Sequence, residues 1–195
     1  MKRLLISFVG PSGSGKSTCF EYAKPPLQKM GFLIYRCDVA YPLRLIQKYA
    51  HQTFGLESPG DPENSVGFTQ DGQLLAFLAG HFEGYLGACA KKRIEELHHK
   101  NQNYPIVIVN TDCRNNAYPT LQRLGFVFIE VSVTPEILAK RRKERGDKTP
   151  FDHTAAVEQY NLIRPTYRIE NNGTKEDLKN AVENVILKIL NKKEA

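Results

Sequence analysis

Gly10-Pro11-Ser12-Gly13-Ser14-Gly15-Lys16-Ser17-Thr18 follows directly on the apolar run Leu4-Leu5-Ile6-Ser7-Phe8-Val9. The stretch fits the spacing G-x-x-x-x-G-K-[ST], with a β-branched and aromatic strand ahead of it and a helix starting at Ser17. Its glycines let the backbone turn tightly enough for successive N–H groups to face one anion. The helix start adds the positive end of its dipole, Lys16 reaches the outer phosphates, and the Ser17 hydroxyl is placed to ligand Mg²⁺. Gly10, Ser12, Gly13, Ser14, Gly15, Lys16, Ser17 and Thr18 are thus read together as a nucleoside triphosphate site.

The whole chain sets bounds on what surrounds that loop. At 195 residues, a single domain spanning 1–195 is expected, with enough chain for a sizeable core. With 41% apolar and 25% charged residues the composition is that of a soluble α/β protein, and no apolar run is long enough to span a membrane. The apolar run after Lys2 and Arg3 is too short for a secretory leader and feeds the loop, so it reads as a core strand in a cytoplasmic protein. Cys19, Cys37, Cys89 and Cys113 are scattered without metal-ligand spacing and read as reduced, mostly buried thiols. His98 and His99 are adjacent on a helix and point apart, which argues against a metal site. A net charge of +6 suits a protein that handles small phosphorylated molecules. No RNA- or DNA-binding motif is present, so nucleic acid is not an expected partner.

Past the loop, apolar runs alternate with helical patterns. The first helix is expected to run from Ser17 to about Lys24, with Pro25-Pro26 breaking it and a short turn ending at Gly31. A second strand covers 32–38, and a helix covers 42–54. The segment 55–72, rich in Pro, Gly, Asp and Ser, is expected to be a mobile or poorly ordered binding loop. One long helix is expected over 73–99, although Gly80, Gly84 and Gly87 each cost it about 1 kcal/mol against Ala. Further strands fall at 105–110, 126–131 and 167–171. Helices fall at 116–125, from Thr134 to Gly146, around 153–162, and after a capping-box start at Thr174-Lys175-Glu176-Asp177. Such alternation predicts a three-layer α/β/α sandwich on a parallel five-stranded sheet, with ligands at the carboxyl ends of the strands.

That rule gathers the loop, Asp38, Asp112 with Arg114, and the Asn171-Asn172-Gly173 turn into one cleft. Phosphoryl transfer needs an aligned donor and neutralised charge more than covalent chemistry. Arg141 and Arg145 share a helix face at i and i+4, with Arg142 beside them, and the segment 141–152 reads as a small phosphate lid. Asp38 is a candidate base, substrate holder or water-mediated support for Mg²⁺. Asp112 is a candidate metal or substrate residue, and Arg44 and Arg114 are candidate clamps for an acceptor phosphate.

On these residues the chain resembles the P-loop nucleotide kinases, among them the deoxynucleoside monophosphate kinases, the dephospho-CoA kinases and adenylate kinase-like proteins. The phosphate loop, the strand-end Asp38, the Arg141/Arg145 pair and Ile169-Glu170-Asn171-Asn172-Gly173-Thr174 carry the likeness. It implies a P-loop NTPase fold with a lid and an acceptor-binding insertion, ATP and Mg²⁺ as cofactors, and Asn172 and Gly173 near the donor adenine. Lys16, Asp38, Arg141 and Arg145 take catalytic roles in that reading, and the acceptor is a (deoxy)nucleoside monophosphate. Dephospho-CoA, a nucleoside or another small molecule as acceptor, and a non-catalytic ATP-binding module, remain open alternatives. Oligomeric state is left open.

Overall fold

The computed structural model describes residues 3–63, 68–145 and 158–192. Five parallel strands form one sheet in the order β2-β3-β1-β4-β5, with β1 at Arg3–Val9, β2 at Leu33–Arg36, β3 at Ile106–Asn110, β4 at Val127–Ser132 and β5 at Tyr167–Glu170. β1 lies in the middle, with Leu4 beside Val107 of β3 and Phe8 beside Ile129 of β4. Strand periodicity divides the core into two layers. Leu4, Ile6 and Phe8 face the first helix and the last, whereas Leu5 and Val9 face the other helical layer.

Helix α1, Lys16–Lys29, runs unbroken through Pro25 and Pro26, against the expected break. Cys19, Phe20, Ala23 and Leu27 form one buried face on the sheet, and that burial outweighs the backbone hydrogen bonds that the prolines remove. Beside it packs the last helix, α7, Lys175–Lys192, which buries Leu178, Val182, Val185, Ile186, Ile189 and Leu190. Its expected cap is present: Asp177 Oδ2 accepts from Thr174 N at 2.8 Å and Thr174 Oγ1 at 2.7 Å, and Asp177 N donates back to Thr174 Oγ1 at 3.1 Å.

The opposite layer holds α2 (Tyr41–Thr53), α3 (Gly72–His81), α4 (Glu83–Lys100) and α5 (Tyr118–Arg123), while α6 (Pro135–Arg145) follows β4. The helix expected over 73–99 is therefore two, broken at Phe82, where φ −105° and ψ 16° leave the helical range. Gly80 and Gly84 face open space; only Gly87 buys close packing, since a Cβ there would stand 3.0 Å from Thr120 Oγ1. No helix among the described residues is long and apolar enough to cross a membrane.

The described parts of the 55–72 segment, expected as a mobile or poorly ordered binding loop, make several contacts with α2 and with each other. Pro59, Pro62 and Phe68 are buried. Buried Gln47 donates to Thr69 O at 2.9 Å and accepts from Asp71 N at 3.2 Å, and Thr69 N donates to Pro59 O at 2.7 Å. Of the expected lid, 146–152 lies outside the described residues, as does 153–157 of the helix expected around 153–162.

Candidate active site

The phosphate-binding loop leaves β1 at the centre of the sheet and enters α1 through Gly15, whose φ of 101° is left-handed. No side chain among the described residues caps the first turn of α1, which leaves its N–H groups available to an anion. Lys16 Nζ donates to the carbonyls of Gly10 and Pro11 at 2.8 Å each, curled over the loop it serves. Burial pushes the Lys16 ammonium down to about 8; the carboxylates of Asp112 and Asp38 oppose that shift and the Arg114 guanidinium reinforces it. All four charges thus act on one small volume. Ser12 is exposed, Ser17 and Thr18 are partly exposed on the first turn of α1, and Ser14 is buried, its hydroxyl without a hydrogen-bond partner among the described residues.

Two further elements close on this loop. Asn171, 5% exposed at the end of β5, donates from Nδ2 to Ser14 O at 2.7 Å. A Cβ at Gly15 would collide with that same Nδ2, so the approach requires glycine there. Arg141 on α6 donates to Asn171 O at 3.1 Å and Oδ1 at 3.4 Å. Gly13, at φ 92°, lies under α6, where a Cβ would meet Leu138 Cδ1 at 3.0 Å and Arg142 Cγ at 3.4 Å. The loop is thus roofed by Leu138 and Arg142, with Arg141 tied to the turn beside it. The side chain of Arg145 lies outside the described residues.

Asn171, rather than Asn172, makes the contact with the loop. Asn172 is exposed and accepts from Thr134 N at 2.9 Å, and Gly173 abuts Asp177 in the cap of α7.

The strand-end acids belong to a buried polar cluster on the β2–β3 side. Asp38, 4% exposed, accepts four bonds: Thr111 N and Oγ1 at 3.0 Å each on Oδ1, Arg36 Nε at 2.9 Å and Arg44 Nη2 at 3.1 Å on Oδ2. Burial and the Asp112 carboxylate push its carboxyl up, against the pull of Arg36, Arg44 and the Thr111 N–H. A carboxylate so engaged fixes its arginines and has little freedom to take a proton from a substrate. Asp112 accepts from Val39 N at 2.7 Å and Ala40 N at 2.9 Å, holding the turn that leads into α2. Arg44, 3% exposed, turns inward: beyond Asp38 it donates to Pro62 O at 2.8 Å and pairs with Asp112 at 3.6 Å. It stitches the 55–72 segment to the sheet instead of facing the cleft, and Arg114 is left as the exposed cation of the two expected clamps.

Sequence reading passed over Arg36, Asn110, Thr111 and Ser7. Asn110 accepts from Ser7 Oγ at 3.0 Å and Cys113 N at 2.9 Å, and donates to Cys37 O at 3.1 Å and Asp112 Oδ1 at 2.9 Å. The signal was there: Ser7 and Asn110 are the polar residues inside or closing otherwise apolar runs. The buried Cys19, Cys37 and Cys113 have thiols pushed up to about 12 by burial, which keeps them protonated and inert beside the site.

No family model matches the sequence, and no curated protein matches it. Solved structures do. TT1252 from Thermus thermophilus shares 18% identity over 96% of this chain and 98% of its own, with a TM-score of 0.53. Shikimate kinase from Bacteroides thetaiotaomicron shares 14% identity over 96% of this chain and 98% of its own, with a TM-score of 0.50. Strand order, phosphate loop and full-length superposition agree that this chain has the fold of the P-loop kinases.

Proposed function

We propose that the chain transfers the terminal phosphoryl group of ATP to a (deoxy)nucleoside monophosphate. One observation carries the reading: the phosphate loop, the β5 turn and the arginine-bearing α6 are joined through Asn171, which binds Ser14 O on one side and Arg141 on the other. A loop that only bound a nucleotide would not need cations brought over its outer end. In this reading Lys16 and the first-turn N–H groups of α1 hold the donor phosphates. Arg141, with Arg142 and Arg145 on the same helix, neutralises charge on the transferred group, and Arg114 holds the acceptor phosphate. Asp38 and Arg44 act as positioning residues that keep the β2 and β3 ends rigid.

The donor set fits Mg²⁺, which takes few protein ligands and otherwise water and phosphate oxygens. Ser17 would hold it directly and Asp112, whose oxygens already accept N–H bonds, through water; the ion supplies charge neutralisation when bound with ATP.

A neutral hydroxyl acceptor, on a nucleoside or another small molecule, is the second reading. The inward turn of Arg44 favours it, because that removes one of two expected phosphate clamps. Purified protein with ATP and Mg²⁺ is assayed for ADP release against nucleoside monophosphates, nucleosides, shikimate and dephospho-CoA. Turnover confined to monophosphates, and lost in Lys16→Ala, is expected. Turnover of neutral acceptors alone supports the second reading, and ATP binding without any turnover makes the chain a binding module.

A further inference from the structure

β2 is an edge strand of the sheet, and a cleft of about 510 Å³ runs along its outer side between α1 and α4. That volume is within the range of small-molecule sites. Phe20, Ile34 and Leu97 give it an apolar floor, and Arg36, Glu63 and Arg93 give it a polar rim.

The rim is set up to receive a ligand. Arg93 lies 3.9 Å over the Tyr41 ring and donates from Nη2 to Glu63 Oε1. Its Nη1 is buried and has no hydrogen-bond partner among the described residues. A buried guanidinium N–H without an acceptor is costly, and a small shift of Arg93 towards the cleft would let a ligand oxygen or ring nitrogen remove that cost. Glu63 offers a carboxylate acceptor beside this donor. An adjacent donor and acceptor over an apolar floor matches the pairing edge of a nucleobase, which always carries an N–H next to a lone pair.

Position says which nucleotide. The contacts from Asn171 and α6 reach the loop from the β4–β5 flank, whereas the cleft opens on the opposite, β2, flank of β1. Phe20 lies one turn beyond Lys16 on the same face of α1. Arg36 at the rim bonds directly to Asp38 and to Thr111. A molecule in the cleft therefore approaches the phosphate loop from the side away from the donor.

We infer that this edge cleft holds the base of the acceptor nucleotide, read by Arg93 as donor and Glu63 as acceptor. The inference rests on the phosphoryl-transfer reading for the word acceptor, and on the cleft alone for the binding itself. Wild-type protein is titrated calorimetrically with dAMP, dCMP, dGMP and dTMP in the presence of a non-hydrolysable ATP analogue. At least one monophosphate is expected to bind. Arg93→Leu, and independently Leu97→Trp, which fills the floor, should each weaken it ten-fold or more, with analogue affinity unchanged within two-fold. The inference is overturned if none of the four binds, or if folded variants keep the affinity within two-fold. Lys16-dependent ADP release is scored separately. Base binding in the cleft without ADP release sinks the kinase reading alone; ADP release with an indifferent cleft sinks this inference alone.

Discussion

Asn171 donates its side-chain amide to the Ser14 carbonyl at 2.7 Å, joining the end of β5 to a loop 157 residues earlier in the chain. Its own carbonyls accept Arg141. One buried amide thus sets the height of the phosphate loop against both the last turn and the helix that roofs it.

Replacing Asn171 with Ala should cost about 1–3 kcal/mol, because Ser14 O is left buried without its donor. Urea denaturation reads that loss directly. ATP affinity should fall as well, since the loop loses its brace and Arg141 its acceptor. Asn171→Asp should be worse than Ala, as it sets a carboxylate oxygen against the Ser14 carbonyl. Equal stability of Ala, Asp and wild type would mean that the contact contributes nothing.

Lys16 gives a pH dependence with a definite sign. Its folded-state value, about 8, lies below the ordinary 10.5, so the native protein binds fewer protons than the unfolded chain between those values. Stability therefore rises with pH across that window as the cost of a buried ammonium is relieved. Lys16→Met should be more stable than wild type below pH 8, and that advantage should fade towards pH 10.5. ATP needs the charged form, so binding near pH 8 should take up a proton. Calorimetry in buffers of different ionisation heat measures the uptake, and none at pH 8–9 would contradict the shift.

Arg44 and Arg114 should fail in different ways. Arg44 is buried against Asp38, and removing one partner of a buried pair typically costs about 3–5 kcal/mol. Arg44→Leu should lower the melting temperature markedly and release the 55–72 segment from α2. Arg114 is exposed, so Arg114→Ala should leave stability within about 0.5 kcal/mol of wild type. Its effect should appear as a KM for the phosphorylated acceptor raised about ten-fold with kcat little changed. The reverse pattern would exchange their assignments.

What the sequence made legible, and what it hid, follows from which interactions are local. Residues 10–18 sit in one turn, and Thr174 and Asp177 in another, so spacing alone disclosed the phosphate loop and the cap of α7. Alternation in Leu4 to Val9 and the 105–110 run disclosed the buried strands for the same reason. The partners of Arg44 were not legible, because Asp38, Pro62 and Asp112 meet only after three separate segments converge. Asn171 looked like part of an Asn-Asn-Gly turn, and nothing local marks it rather than Asn172 as the neighbour of Ser14. The helix through Pro25-Pro26 shows tertiary burial overriding a local rule, with Ala23 and Leu27 fully buried on either side of the prolines. Arg93 carried no motif at all; its place beside the cleft, with a buried Nη1 that has no hydrogen-bond partner among the described residues, emerges only from the fold.

Gly13 provides a test of the roof over the loop. Its φ of 92° is one that a residue with a Cβ adopts at about 1–2 kcal/mol, and the added carbon would also press on Leu138 and Arg142. Gly31 is its control: at φ 77° it pays the same kind of backbone cost, yet a Cβ there meets nothing within 4 Å. Gly13→Ala and Gly31→Ala should therefore both lose stability, by about 1–2 kcal/mol from the backbone. Only Gly13→Ala should displace α6 and with it Arg141 and Arg142. Its transfer rate should drop by at least ten-fold at saturating ATP, while Gly31→Ala keeps the wild-type rate. If both variants turn over like wild type, α6 does not need its seat on Gly13, and the arginines act from somewhere other than the roof of this loop.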